Sequence, residues 1–420
     1  MHLSKWLFVV AALGCGACSA LLGGFEVGPP GAGGDGGPEA GGPPPVDAGG
    51  DTPQADSAAA CEAGAVMCGS SCPDLTTSPK HCGRCDHDCL GGTCVGRVCQ
   101  PVSLTTGTLP LLNASRIATD GTSVCWSAAQ TAGFVYCVPT TTTGSGATPT
   151  PVYMGKRPGP LVVQAGTVFF LHPDPVTSGA VTLRKGMAGT AASSTVVGLW
   201  MPNAPVTFID GYELAINAAA TELYAAMLGT RTDATYDLLI NSMKADGSSR
   251  TSIATINGMD PAALRPHGLA FDGAALYTTY GSFSGGIVWR HALGGGGTTT
   301  ELAQNEVLPS GAVVDGTVAY WTAGNDPFAI RSSPINAMTP ADVVTATSNV
   351  GGLVAAGDRV FWTQLNDSAI YFAAAAGGGS PAKYVAGTSG IDLPGPLARD
   401  AKAIYWVDKS TGAVKKVALP

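Results

Sequence analysis

Residues 266–293 begin Pro266-His267-Gly268-Leu269-Ala270-Phe271, turn at Asp272-Gly273, and continue as Ala275-Leu276-Tyr277-Thr278-Thr279-Tyr280. After a short polar loop the chain resumes with Gly286-Ile287-Val288-Trp289-Arg290-His291-Ala292-Leu293. Each run is strand-length, rich in β-branched and aromatic residues and bounded by Gly, Asp or Ser, which predicts strand, turn, strand, loop, strand. The polar run from Gly294 to Thr300 then leads into a short outer strand at Glu301-Leu302-Ala303. Four short strands joined in order by tight turns make one blade of a β-propeller.

The same phrase recurs from residue 116 to the C-terminus. Its copies are Asp120-Gly121 with Val124-Cys125-Trp126, Ala165-Gly166 with Val168-Phe169-Phe170, Asp272-Gly273 with Leu276-Tyr277, and Asp315-Gly316 with Tyr320-Trp321. Gly357-Asp358 with Phe361-Trp362 and Asp400-Ala401 with Ile404-Tyr405-Trp406 follow, and a degenerate copy lies at Leu223-Tyr224. Counted at positions 126, 170, 225, 278, 321, 362 and 406, the spacings are 44, 55, 53, 43, 41 and 44. That is the period of one four-stranded blade per copy. The expected fold class is therefore all-β, a single propeller over residues 100–420 with seven four-stranded blades. Six or eight blades are the alternatives, because the third copy is weak. The chain ends on a third strand, Gly412 to Leu419, while an unpaired run, Val102 to Thr106, precedes the first copy. Pairing those two ends completes the last blade and leaves no long open edge. Cys125 and Cys137, on neighbouring strands of the first blade, are expected to form a cross-strand disulfide.

The Pro-x-Gly-Leu-Ala-x-Asp opening at Pro266–Asp272, with Tyr320-Trp321-Thr322, Phe361-Trp362-Thr363 and Tyr405-Trp406-Val407, resembles NHL and YWTD-type repeats. The resemblance implies the fold and leaves the activity open, since propellers host binding, scaffolding and catalysis alike.

The N-terminal hundred residues are organised differently. Lys5 and the amino terminus precede an apolar run, Trp6 to Leu13, too short to span a bilayer, which marks a signal peptide. Its end, Leu13-Gly14-Cys15-Gly16-Ala17-Cys18-Ser19, resembles the bacterial lipobox. Cys18, preceded by Gly16 and Ala17, is the favoured lipidation site and Cys15 the alternative, with plain secretion as the reading without a lipid. Residue 19 is Ser rather than the Asp that in such lipoproteins signals inner-membrane retention, so the resemblance implies an outer-membrane lipoprotein. Residues 19–60 are a Gly/Pro/Asp-rich tether whose composition cannot bury enough apolar area to offset ordering entropy. An acidic ligand-binding tail is the less favoured reading of it.

Residues 61–99 carry Cys61, Cys68, Cys72, Cys82, Cys85, Cys89, Cys94 and Cys99. Eight cysteines at this density behind a signal peptide predict four disulfides holding a small module that contributes nothing to the sheets of the ring. Cys82-Gly-Arg-Cys85, with His81 and His87 beside it, also has zinc-knuckle spacing. An oxidising compartment argues against zinc, and the lack of a surrounding βαβ pattern argues against a redox pair. The Cys68-to-Cys99 pattern resembles the Stig1-like Cys-rich modules of bacterial surface lipoproteins.

Charge and composition narrow the function. Only 12% of residues are charged, 58 are Gly and 30 are Pro, and the net charge is −8. Eight uncompensated acids fall between Trp6 and Pro79, whereas residues 80–420 hold 22 acids and 21 bases. A near-neutral ring has no basic stripe for nucleic acid. No run after residue 25 is long and apolar enough to span a membrane, so a lipid anchor is the expected attachment. In the ring only His172, His267 and His291 occur, and no nucleophile triad, zinc motif or phosphate loop is present. His267, at the start of a first strand, is the channel candidate. Propeller lyases related to streptogramin lyase place a His beside a Glu there, but Leu276 to Phe283 holds no acid, which favours a neutral His267. Calcium-dependent propeller lactonases would need acids and amides converging on the channel, where Asn203, Asn217, Asn257 and Asp210 are the available residues. The Asp-Gly pairs read as turns rather than ligands. No catalytic residue, metal or cofactor is assigned. The expected function is a non-enzymatic envelope protein that binds a protein, glycan or wall component, and the alternative is a periplasmic or surface hydrolase or lyase using the channel.

Overall fold

The computed structural model describes residues 61, 65–106, 114–128, 133–142, 147–174, 177, 179–201, 206–259, 266–281, 285–294, 297–324, 328–346, 350–386 and 394–420. The signal peptide, Cys15, Cys18 and the tether lie outside them.

The ring has seven four-stranded antiparallel blades. The first comprises Ala114–Thr119, Ser123–Ala128, Gly133–Pro139 and Thr150–Gly155, and the second Leu161–Gln164, Thr167–Pro173, Val181–Met187 and Thr195–Trp200. The third comprises Val206–Ile216, Glu222–Arg231, Tyr236–Lys244 and Thr251–Met259, and the fourth Pro266–Phe271, Ala275–Tyr280, Gly286–Ala292 and Thr299–Glu306. The fifth runs Ser310–Asp315, Val318–Ala323, Phe328–Pro334 and Ala341–Ala346, and the sixth Val350–Ala356, Arg359–Gln364, Ala369–Ala374 and Ala382–Ala386. The seventh takes Pro394–Arg399, Ala403–Asp408 and Val414–Ala418 from the C-terminus and Val102–Ser103 from the N-terminal side. The ends of the ring are thus joined as the strand count requires: Val102 lies opposite Lys416, Ser103 opposite Lys415, and Leu104 N–H donates to the Val414 carbonyl at 2.8 Å. Leu104 itself is fully buried.

Second strands carry the aromatic phrase because they are covered on both faces. Side chains alternate along a strand, so consecutive residues reach opposite neighbouring blades. Trp126 packs with Ala398 and Tyr405 of the seventh blade, while Cys125 packs with Val163 and Phe170 of the second. The recurrent turn acid has a matching task. Asp120, Asp272 and Asp400 each accept backbone N–H groups of their own turn through Oδ1. The second oxygen reaches further: Asp272 and Asp400 accept from Tyr277 and Tyr405 at 2.6 and 2.8 Å, five residues on. Asp120 and Asp315 instead accept the Gly166 and Gly357 N–H groups of the next blade at 2.7 and 2.8 Å. The Asp-Gly pairs are turns, and those at Asp120 and Asp315 also lock blade to blade.

The disulfides of the module are Cys61–Cys72, Cys68–Cys85, Cys82–Cys94 and Cys89–Cys99, and Cys125–Cys137 crosses the first blade. Loops of this size each constrain the unfolded chain by about 2–4 kcal/mol. The module does not stand apart from the ring, however. Its two inner cystines, Cys82–Cys94 and Cys89–Cys99, share a buried cluster with Phe361, Leu397, Ile404 and Trp406 of the sixth and seventh blades. His87 lies between the carbonyl oxygens of Cys82 and Leu419, with Nδ1 at 2.6 Å and Nε2 at 2.7 Å. The expectation of a module held by covalent links alone therefore needs correction, because cystine sulfur is apolar and the base of the ring offers aromatic surface to cover it.

Candidate functional site

The first strands line the ring's axis. Arg116 stands opposite Ser127, Glu213 opposite Ala226 and Gly268 opposite Thr279, which is one layer counted from the repeated aromatic position. The first strand of the second blade is short and starts only at Leu161. Arg116 can therefore reach past it to a direct ion pair with Glu213 of the third blade. That carboxylate raises the guanidinium pKa further above its ordinary value, so the two charges are held as a pair. Elsewhere glycine sets the width. A Cβ on Gly268 would lie 2.3 Å from Ala312 N, and one on Gly352 would lie 2.6 Å from Leu397 N, so adjacent first strands meet backbone to backbone.

The residues singled out from the sequence do not meet. His267 belongs to the strand Pro266–Phe271, but its side chain lies outside the described residues, as does that of Asp210, and Asn203 lies outside altogether. Asn217 caps the turn between the first two strands of the third blade, accepting the Thr221 and Glu222 N–H groups at 2.9 and 3.1 Å. Asn257 is on the outermost strand of that blade. His172 is buried, with Nδ1 2.7 Å from the Pro173 carbonyl, and burial lowers its pKa. His291 lies between Thr278 Oγ1 at 2.9 Å and Thr299 Oγ1 at 3.0 Å, and burial pushes its pKa down to about 4. Cys82, Cys89 and Cys99 form the one group of metal-ligand residue types within 4.8 Å among the described residues. All three sulfurs are in disulfides. Cys82 and Cys85 take different partners, Cys94 and Cys68, so the pair is neither a knuckle nor a redox couple.

Sequence reasoning counted the third blade, though weakly, and did not anticipate the length of its strands. Its strands have 11, 10, 9 and 9 residues, against 6, 6, 7 and 8 in the fourth. The long spacings of 55 and 53 were the available signal: extra residues lengthen the blade at the end where first strands begin. A cleft of about 370 Å³ opens there between the second and third blades. Its floor is Trp200, Ile209, Met227 and the buried Asp237, and its rim includes Asn241, Ser252, Thr255 and Asn257. Asp237 is held by Arg231 Nη1 at 3.2 Å. The Trp200 indole N–H is buried and has no hydrogen-bond partner among the described residues.

No protein-family model matches the chain, and no curated protein does. Solved structures do. The nidogen/laminin complex is 18% identical with TM-score 0.39, covering 59% of this chain and 84% of that one. BamB from Moraxella catarrhalis is 11% identical with TM-score 0.43, covering 73% and 85%. A prolyl endopeptidase is 14% identical with TM-score 0.48, covering 74% of this chain and 51% of that one. These likenesses accompany a propeller already evident from its strands and carry no argument about activity.

Proposed function

We propose that the chain is a non-enzymatic lipoprotein of the bacterial cell envelope, anchored through Cys18, whose propeller binds an envelope or extracellular protein, glycan or wall component. The observation that supports this reading is the cleft between the second and third blades. Amides and hydroxyls at its rim recognise partners by hydrogen bonding, and an apolar floor beneath them supplies contact area. A near-neutral ring behind a Gly/Pro/Asp-rich acidic segment suits presentation away from a bilayer, and several acyl chains on a lipidated cysteine suit stable anchoring, at about 0.8 kcal/mol per buried CH₂.

A second reading, a periplasmic or surface hydrolase or lyase working in the channel, draws on Arg116 and Glu213, the acid and base that face each other there. Two measurements separate the readings. Cys18→Ala is expected to release the protein from the membrane fraction while Cys15→Ala does not, and no release by either or both together overturns the anchor. Immobilised ring should then capture an envelope component saturably and in competition with soluble ring, unchanged by Glu213→Gln. Turnover of an envelope polymer that Glu213→Gln abolishes would establish the enzyme instead.

A further inference from the structure

The third blade's overhang places three features in one cleft, and together they specify a ligand class. At the floor, Trp200 is 2% exposed. Above the buried Ile209 and Met227, the half-buried Leu239 and the exposed Met201 give the cleft its apolar lining. At the rim, Asn241 and Asn257 offer amides that both donate and accept, and Ser252 and Thr255 offer hydroxyls with the same dual capacity.

We infer that this cleft binds a neutral, ring-shaped polyhydroxylated ligand, one or two sugar residues, with hydroxyls toward the amide and hydroxyl rim and its C–H face on the apolar floor. The inference rests on the binding reading above and names the ligand of that site. Charge sets the class. Asp237 is engaged by Arg231, which leaves the floor balanced, and among the described residues Arg250, solvent-exposed at the rim, is the one other cation lining the cleft. Sugar hydroxyls match groups that both donate and accept, whereas an anion would need several donors converging and a purely apolar ligand would leave the rim amides unpaired. At about 370 Å³ the cleft falls in the range of small-molecule sites.

The test is isothermal titration of the full chain carrying Cys18→Ala with the methyl glycosides of glucose, galactose, N-acetylglucosamine and glucuronic acid. Saturable binding of a neutral glycoside is expected. Ser252→Ala with Asn257→Ala should weaken it at least about tenfold, and Leu239→Ala, which cuts back the apolar lining, should weaken it about threefold to tenfold. Circular dichroism and melting temperature establish that each variant is folded; the rim pair is exposed and serves if Leu239→Ala is not. Binding that none of these variants changes places the sugar elsewhere and overturns the proposal, as does binding of the glucuronide alone. Failure of every glycoside while the ring still captures its envelope partner also overturns it and leaves the broader binding reading standing.

Discussion

Lys416 lies opposite Val102 in the ladder that shuts the ring, and its Nζ continues across to the Thr140 carbonyl of the first blade at 2.7 Å. One residue therefore binds the last blade both to the N-terminal strand and to the blade that follows it. Burial lowers the Lys416 pKa, opposed by Asp400 and Asp88, so the side chain sits where water is scarce and partners are specific.

Closure predicts a difference between two truncations. Removing residues 1–100 keeps the Val102–Ser103 strand, whereas removing 1–106 also strips Leu104 from its core and Thr105 Oγ1 from the Val414 N–H at 2.9 Å. The longer deletion should aggregate or melt at least several degrees lower by calorimetry, and Leu104→Ala alone should cost about 2–5 kcal/mol. Equal melting temperatures for the two truncations would contradict closure through this strand.

Glu306 should be among the most sensitive polar positions. It is 1% exposed, accepts the Trp321 Nε1–H at 3.1 Å and pairs with Arg331, so it joins the fourth blade to the fifth. Glu306→Ala leaves the buried Trp321 Nε1–H without its acceptor and the part-buried Arg331 with Asp342 alone, and urea denaturation should show a loss of about 1–3 kcal/mol. A loss under about 1 kcal/mol would mean that the pair does not hold the seam.

Acid should destabilise the ring through His291. Its folded pKa of about 4 lies below the ordinary 6.5, so the unfolded chain binds the proton more readily. The stability tied to the neutral ring is present above about pH 6.5 and is lost as pH falls toward 4, with a limit of roughly 3 kcal/mol. His291→Gln should flatten the stability profile between those values, and an unchanged acid limb would assign it to other groups.

Gly352→Ala should destabilise by about 1–3 kcal/mol, because the new Cβ would meet Leu397 N at 2.6 Å and Pro396 Cα at 3.1 Å. Gly189→Ala, with open space around its Cβ, is the control and should be close to neutral in the same thermal melt.

The disulfides should fall to reductant in order of exposure. Cys72 is exposed, whereas Cys82, Cys89, Cys125 and Cys137 are buried. Native-state alkylation followed by mass spectrometry should find Cys61–Cys72 opened first. The cystines on the base of the ring should open only with a drop in ring stability, because they cover Phe361 and Trp406. Complete reduction of the module at unchanged ring stability would show that this packing contributes little.

Sequence alone determined the repeat, the blade count and the closing strand, because those depend on local patterns: short, continuously apolar strands with a recurring aromatic, Asp-Gly turns and an unpaired run at each end. It also gave the use of the turn acids, since an Asp bonding its own turn needs only neighbours in sequence. The tertiary structure decided what depends on distance between blades. Asp120 and Gly166, Arg116 and Glu213, and Glu306 and Arg331 meet only because the ring brings separate repeats together. Docking of the module on the base was hidden for the same reason, since cystines read as covalent staples until an aromatic surface is seen against them. The cleft was half legible. Spacings of 55 and 53 marked the third copy as oversized, but a longer strand and a longer loop have the same spacing. Only the folded chain shows the extra residues as strand, overhanging the ring beside Trp200.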